Sequence, residues 1–172
     1  KGLPIHYSPK NINAYLIDFD SILIKAVKTP PQGFPPMLTG NEPRDGGFLS
    51  NLTRAEADEI RLSDPIAAKY LRPLIGSAEM LGKSEERFCL WLVEMEPSDL
   101  RDSKELSSRV SKVRIEREGA QGSKSSKGKT ANTPTLFSRI SQPTKPFIAV
   151  PAVSSEKRHY IPSALYEPHT II

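Results

Sequence analysis

The sequence predicts an α/β (α+β) domain: a twisted mixed or mainly antiparallel sheet with packed helices and long loops. Three observations predict it. Short β-prone runs stand at residues 14–17, 22–27, 87–95 and 147–153. Between them lie two helix-start signatures and one long helical pattern. The 16 prolines and 10 glycines supply the loops. At 172 residues the chain has the size of one domain, 1–172, and buries roughly two thirds of its surface. It opens on Lys1 rather than Met, which suggests a piece of a longer protein.

Residues 14–17 and 22–27 read as two strands joined by a tight turn at Asp18-Phe19-Asp20-Ser21. Asp18 and Asp20 are assigned to the turn rather than to a metal pair. Four prolines in residues 29–36 fix φ and remove donors, so that segment is irregular. Residues 37–39 are a short candidate strand, and 40–47, with Gly40, Gly46 and Gly47, a turn-rich loop. Thr53 and Glu56 have capping-box spacing and open a helix to about Leu62. Asp64-Pro65 repeats the logic for a second helix through Leu71, limited by Pro73.

Residues 87–95, R-F-C-L-W-L-V-E-M, form the most apolar stretch and the best candidate for a central strand. Cys89, the one cysteine, reads as a buried, reduced core residue compatible with a cytoplasmic setting. Residues 97–118 turn helical, with Leu106, Val110 and Val113 at i, i+4 and i+7. Arg109, Lys112, Arg114 and Arg117 are taken as solvated charges on that helix, some paired with Glu105, Glu116 or Glu118. Residues 119–132 hold three lysines and no large apolar side chain, which predicts a flexible basic loop. Thr133-Pro134 starts a short helical turn carrying Leu136 and Phe137.

Residues 147–153 then form a strand predicted to be buried. It ends at Ser154-Ser155-Glu156-Lys157-Arg158, and Tyr160 begins a final strand to Leu165. Two hydroxyls, a carboxylate and two cations at a strand end suit phosphates and base edges. Taken alone, those five residues are explained more simply by a solvated hairpin turn.

Charge is distributed unevenly. Residues 1–100 carry 11 Lys+Arg against 14 Asp+Glu, and residues 101–172 carry 13 against 6. A basic half suggests a polyanion met by one face. No apolar run approaches the roughly 20 residues of a membrane span. His6, His159 and His169 are scattered and Cys89 stands alone, so no metal-ligand spacing emerges. No Gly-x-Ser-x-Gly elbow, phosphate-cradling loop or dinucleotide fingerprint occurs. Asp99, Asp102, Ser103 and Lys104 lie on a predicted helix, the wrong geometry for a nuclease metal site.

Six blocks occur in order: I-N-A-Y-L-I-D at 12–18, G-N-E-P-R-D-G-G at 40–47, A-A-K-Y-L-R-P-L-I-G-S-A-E at 67–79, R-F-C-L-W-L at 87–92, T-P-T-L-F at 133–137 and V-P-A-V-S-S-E-K-R-H-Y-I-P at 150–162. Together they resemble the target recognition domain of MmeI-like (YeeA-like) DNA methyltransferases and combined restriction–modification enzymes. The resemblance covers nearly the full chain. It implies a sequence-specific double-stranded DNA recognition module, with an adenine-N6 methyltransferase domain on the same polypeptide and in some members a nuclease. S-adenosylmethionine, and Mg where a nuclease is attached, would serve the parent enzyme. The family's Asn-Pro-Pro-Tyr motif is absent from these residues. The alternative is a basic protein-interaction or regulatory module without DNA specificity.

On that reading the candidate DNA-binding residues are Arg44, Ser77, Arg87, Arg139, Gln142, Ser154, Ser155, Lys157 and Arg158. Arginine suits guanine and glutamine suits adenine by bidentate geometry. In the 154–158 loop, Ser154 and Ser155 are assigned to phosphate or backbone and Lys157 and Arg158 to DNA. Glu156 would orient a cation or accept from cytosine. Lys124, Lys127 and Lys129 are assigned to nonspecific phosphate contact.

Overall fold

The computed structural model describes residues 7–13, 16–20, 29–30, 32–119, 130–153 and 162–172. The chain divides into two units, Lys1–Met37 and Leu38–Ile172. In the first, Asp18 holds a turn: its carboxylate accepts from the Tyr7 hydroxyl and from the Asn11 N–H at 3.1 Å. Those bonds, the Tyr7 hydroxyl foremost, hold its carboxyl below the usual range. Leu16 has φ 60°, a turn conformation that no strand accommodates. Ile17 continues the same bend, and the rest of the two strands expected at 14–17 and 22–27 lies outside the described residues.

The second unit begins irregularly. Residues 37–39 form no strand; Met37 and Leu38 are exposed and no strand pairs with them. Helix α1 (Arg54–Ser63) starts on the expected capping box, with Thr53 Oγ1 accepting from the Glu56 N–H and Glu56 returning to the Thr53 N–H. Its apolar face buries Ala57 and Ile60. Asp64 caps α2 (Pro65–Ala68). That helix is shorter than its composition predicts, because residues from Leu71 onward pair instead as β1 (Leu71–Leu74). Pairing wins because it buries Leu71 and Leu74, whereas Pro73 would break a continuing helix.

Strand β1 runs antiparallel to β2 (Arg87–Leu90), with Leu71 opposite Leu90 and Pro73 opposite Phe88. Phe88 sends its N–H and C=O to Leu52 instead, at 2.9 and 3.1 Å, so the missing proline donor is not required there. On the other edge, the Ile171 N–H reaches the Pro73 carbonyl at 2.9 Å and the Ile75 N–H reaches the Ile171 carbonyl at 2.9 Å. Leu52, with Leu49 accepting from the Leu90 N–H at 2.8 Å, covers one edge of this small sheet and Ile171 the other. Strand β2 is central in that sense, but it ends at Leu90 rather than Met95, and Trp91 bonds the Tyr70 carbonyl at 2.8 Å. Between the strands sits one turn of helix, α3 (Ser77–Met80).

The expected helix over 97–118 is two helices, α4 (Pro97–Asp102) and α5 (Lys104–Glu118). Ser103 separates them in extended backbone; its hydroxyl caps Leu106 at 3.0 Å and donates to Asp64 at 2.7 Å. Asp64 therefore caps α2 and ties it to the start of α5. Leu106, Val110 and Val113 are buried as predicted, against Leu49, Leu52, Phe88, Cys89 and Leu90. Burial pushes the Cys89 thiol up to about 12, so it is an inert core residue. Residues 133–136 make a single turn closed by the Leu136 N–H on the Thr133 carbonyl at 3.0 Å, with Phe137 after it buried edge-on to Trp91.

A second antiparallel pair, β3 (Phe147–Ala149) and β4 (Ala164–Tyr166), stands apart from the first. Both strands are shorter than expected, and the 147–153 run is not buried: Ile148 and Val153 are exposed, while Ala149 and Pro151 face inward. A two-stranded ribbon has no second layer over its outer face. The α+β class holds, and the strands among the described residues form two small antiparallel sheets rather than one larger one.

Arg117 overturns its assignment as a solvated charge. It continues the Leu106–Val110–Val113 stripe one step further and is 0% exposed. All five guanidinium N–H groups find main-chain carbonyls. Nε bonds Arg44 O at 3.1 Å, Nη1 bonds Thr130 O and Thr133 O at 3.0 and 2.8 Å, and Nη2 bonds Pro43 O and Leu136 O at 3.0 and 2.9 Å. Arg117→Met is expected to destabilise the chain by about 3 kcal/mol, since it takes a buried donor from five carbonyls and leaves those of Arg44 and Leu136 without a partner among the described residues. A shift of the urea midpoint measures this. Arg117→Lys should also lose stability, because an ammonium has three donors and no fork; a midpoint unchanged in both variants would contradict the role assigned to the fork.

Candidate nucleic-acid interface

The sequence-derived candidates fall into three groups. Arg44 and Arg139 come together. The loop at 40–47 folds back on residues 138–142 because Glu42 and Arg139 exchange main-chain bonds at 3.0 and 3.1 Å. Gly40 lets residue 172 come in beside this loop: a Cβ there would stand 2.9 Å from the Ile172 main chain. Between the two arginines lies Glu42. Arg44 Nε and Nη2 contact its Oε1 at 2.7 and 2.6 Å, and Arg139 Nη1 contacts its Oε2 at 3.5 Å. Arg139 also donates to the Gly40 carbonyl at 3.3 and 3.2 Å. Both arginine side chains remain partly open, 39% and 47% exposed.

Beside them, Asp45 is buried and organises the next turn. Its carboxylate accepts from the N–H groups of Gly47 and Leu49 at 3.0 and 2.6 Å and from Ser50 at 2.7 Å. Gly46 and Gly47 take positive φ, 68° and 85°, which the sequence foresaw in a glycine-rich turn.

Gln142 belongs to the interior side of this region. Its amide nitrogen donates to Pro168 O and Thr170 O at 2.9 and 2.8 Å, while its oxygen accepts from Asn41 Nδ2 at 2.7 Å. The amide is committed to joining residues 41, 142 and 168–172, so its geometry is that of a staple.

Ser77 and Arg87 make the second group, gathered by Glu79. Ser77 is the first residue of α3 and half-buried. Arg87, at the start of β2, grips Glu79 with Nε and Nη2 at 2.7 and 3.0 Å. Glu79 also accepts from Ser84 Oγ at 2.5 Å and the Gly76 N–H at 2.7 Å. Burial would raise its carboxyl, but these donors, Arg87 first among them, hold it at about 2. Arg87 thus spends one full edge of its fork on a carboxylate only 6% exposed.

The third group is placed by its anchors. Lys124, Lys127 and Lys129 fall in the connection from α5 to Thr130, and Ser154, Ser155, Lys157 and Arg158 in the connection from β3 to β4; all seven lie outside the described residues. The anchors are fixed: Arg117 holds Thr130 where the first connection ends and holds Pro43 and Arg44 beside it. No group of three or more His, Cys, Asp or Glu suited to a metal ion occurs among the described residues. Sequence reasoning passed over Glu42, Asp45 and Arg117. For Arg117 the signal was its helical phase; the Glu42–Arg139 contact joins residues too far apart in sequence for any spacing to announce it.

Comparisons with known proteins agree on one family. The model of the MmeI target recognition domain matches residues 18–172. DNA methyltransferase A of Bacillus subtilis (strain 168) is 33% identical over 162 residues, 94% of this chain and 18% of that protein. The structure of the Type IIL restriction-modification enzyme MmeI in complex with DNA is similar at TM-score 0.77 and 31% identity, over 99% of this chain and 22% of that one. The chain spans about a fifth of the length of the proteins it matches.

The Glu79 site carries a pH dependence. Its folded value, about 2, lies below its ordinary 4.5, so its stabilisation is present above pH 4.5 and is lost as pH falls toward 2. With the partly exposed Arg87 screening the pair, that amounts to about 2 kcal/mol. Unfolding free energies measured from pH 7 to pH 3 should fall less steeply in Glu79→Gln, and parallel curves would contradict this origin.

Proposed function

The chain belongs to the MmeI target recognition domain family, and from that premise we propose that it recognises DNA sequence within a restriction–modification enzyme. The observation that carries this reading is the likeness over nearly the whole chain to an enzyme whose structure was solved with DNA. The arrangement around Arg117 supports it. The return of the lysine-bearing connection, Arg44 and, through Glu42, Arg139 are gathered into one region. Cations gathered at the ends of loops suit a phosphate backbone, and a rigid base beneath them suits reading of groove edges.

In this reading a methyltransferase domain of the same polypeptide carries out the chemistry, transferring a methyl group from S-adenosylmethionine to adenine N6. A base within a duplex must be flipped out to be methylated. The recognition domain holds the duplex in register while that happens and selects the site by its loops. A nuclease, where attached, would add a need for Mg. No helix among the described residues is long and apolar enough to cross a membrane, and the proposed setting is the cytoplasm, where the cell's DNA is.

Sequencing that detects methylated bases tests the reading. DNA from cells expressing the full-length protein should carry methylated adenine in one recurring motif; methylation scattered without a motif, or none, would refute it. Within that enzyme, Arg158→Ala should weaken binding to the motif. Arg54→Ala should do little, since Arg54 is paired with Glu86 and lies over the Phe88 ring; equal losses would remove the 154–158 loop from the interface. Replacing Lys124, Lys127 and Lys129 together should reduce the slope of log K against log salt by about 2–3 if all three meet phosphates. An unchanged slope would make that loop a plain connector.

A further inference from the structure

We propose that Glu42 is a positioning residue that holds Arg44 as a guanine-reading fork; the inference rests on the DNA-recognition reading above. Arg44 has φ 44°, a left-handed conformation that a side chain bearing a Cβ rarely adopts. The surrounding structure overdetermines it. The carbonyls of Pro43 and Arg44 are both taken by buried Arg117, Glu42 is paired through its main chain with Arg139, and Asp45 is buried immediately after. With the main chain pinned on both sides, the Arg44 side chain is presented at the surface.

Glu42 then fixes its rotation. The Nε and Nη2 edge rests on Oε1 at 2.7 and 2.6 Å, and no acceptor engages Nη1 among the described residues. The terminal Nη1–Nη2 edge is therefore available, and that edge makes the bidentate bond to guanine O6 and N7. Arg139 restrains the carboxylate from its other oxygen at 3.5 Å, so Glu42 is buttressed in turn. A phosphate contact needs only a cation within reach. Holding one fork by a strained main chain and a restrained carboxylate suits directional reading, because the ordering is in place before DNA arrives.

The test uses the full-length enzyme and a pool of duplexes with a randomised core, sequencing the bound fraction. Arg44→Ala should abolish the preference for guanine at one base pair, by about 5- to 150-fold, and leave preferences elsewhere intact. Arg44→Lys should do the same while preserving overall affinity, since the charge stays and the fork goes. Glu42→Gln should weaken preference at that same base pair and no other. None of these removes a main-chain group used by Arg117 or Arg139, so melting temperatures should match the unsubstituted enzyme. A uniform loss at all positions in Arg44→Ala, or a Glu42→Gln effect at a different base pair or at none, would overturn the inference while leaving DNA recognition standing. Failure of the unsubstituted enzyme to enrich any sequence would overturn the recognition reading itself.

Discussion

The structure of the second unit depends on one buried cation. Arg117 stands where a helix would ordinarily place a last-turn leucine, and burial pulls its pKa down against the opposing charge of Asp45. An uncompensated charge in an interior is costly. Here the planar fork meets five carbonyls, drawn from residues 43–44, 130, 133 and 136. Those carbonyls lie in irregular backbone, where three of them, Pro43, Thr130 and Thr133, accept one main-chain N–H and the other two accept none among the described residues. The arginine supplies the hydrogen bonds that a sheet would otherwise give, and loops far apart in sequence become one layer over α5.

That constraint explains which parts of the fold were legible. Local signals were read correctly: the Thr53–Glu56 box, the Asp64-Pro65 start and the apolar stripe of α5 each depend on residues a few positions apart. Signals that depend on distant partners were not. The Ala67–Leu71 composition favours helix, yet residues 71–74 pair with 87–90. The 147–153 run is apolar enough for a core strand, but the ribbon has no layer above Ile148 and Leu165, which lie opposite one another and exposed. Arg117 was misread because charge was given more weight than helical phase.

The same division applies to the candidate site. Arg44, Arg87, Arg139 and Gln142 were chosen as residue types that can read bases, a criterion blind to prior commitments. The structure distinguishes them by what they already hold. Gln142 uses both amide donors and its oxygen internally, and Arg87 has closed an edge on Glu79. Arg44 and Arg139 share one carboxylate near the surface. A polar side chain whose hydrogen bonds are complete within the protein can reach a ligand only by breaking them.

The Asn41 N–H lies 2.6 Å from the Ile172 carbonyl, and the Asn41 side chain reaches the same oxygen at 2.9 Å. The start of the second unit and its last residue are therefore bonded neighbours. Main chain 131 positions apart in sequence thus meets at a single seam. Because Ile171 also closes the edge of β1, that seam is part of the sheet itself: whatever pulls residues 171–172 away from Asn41 also strips the edge of β1.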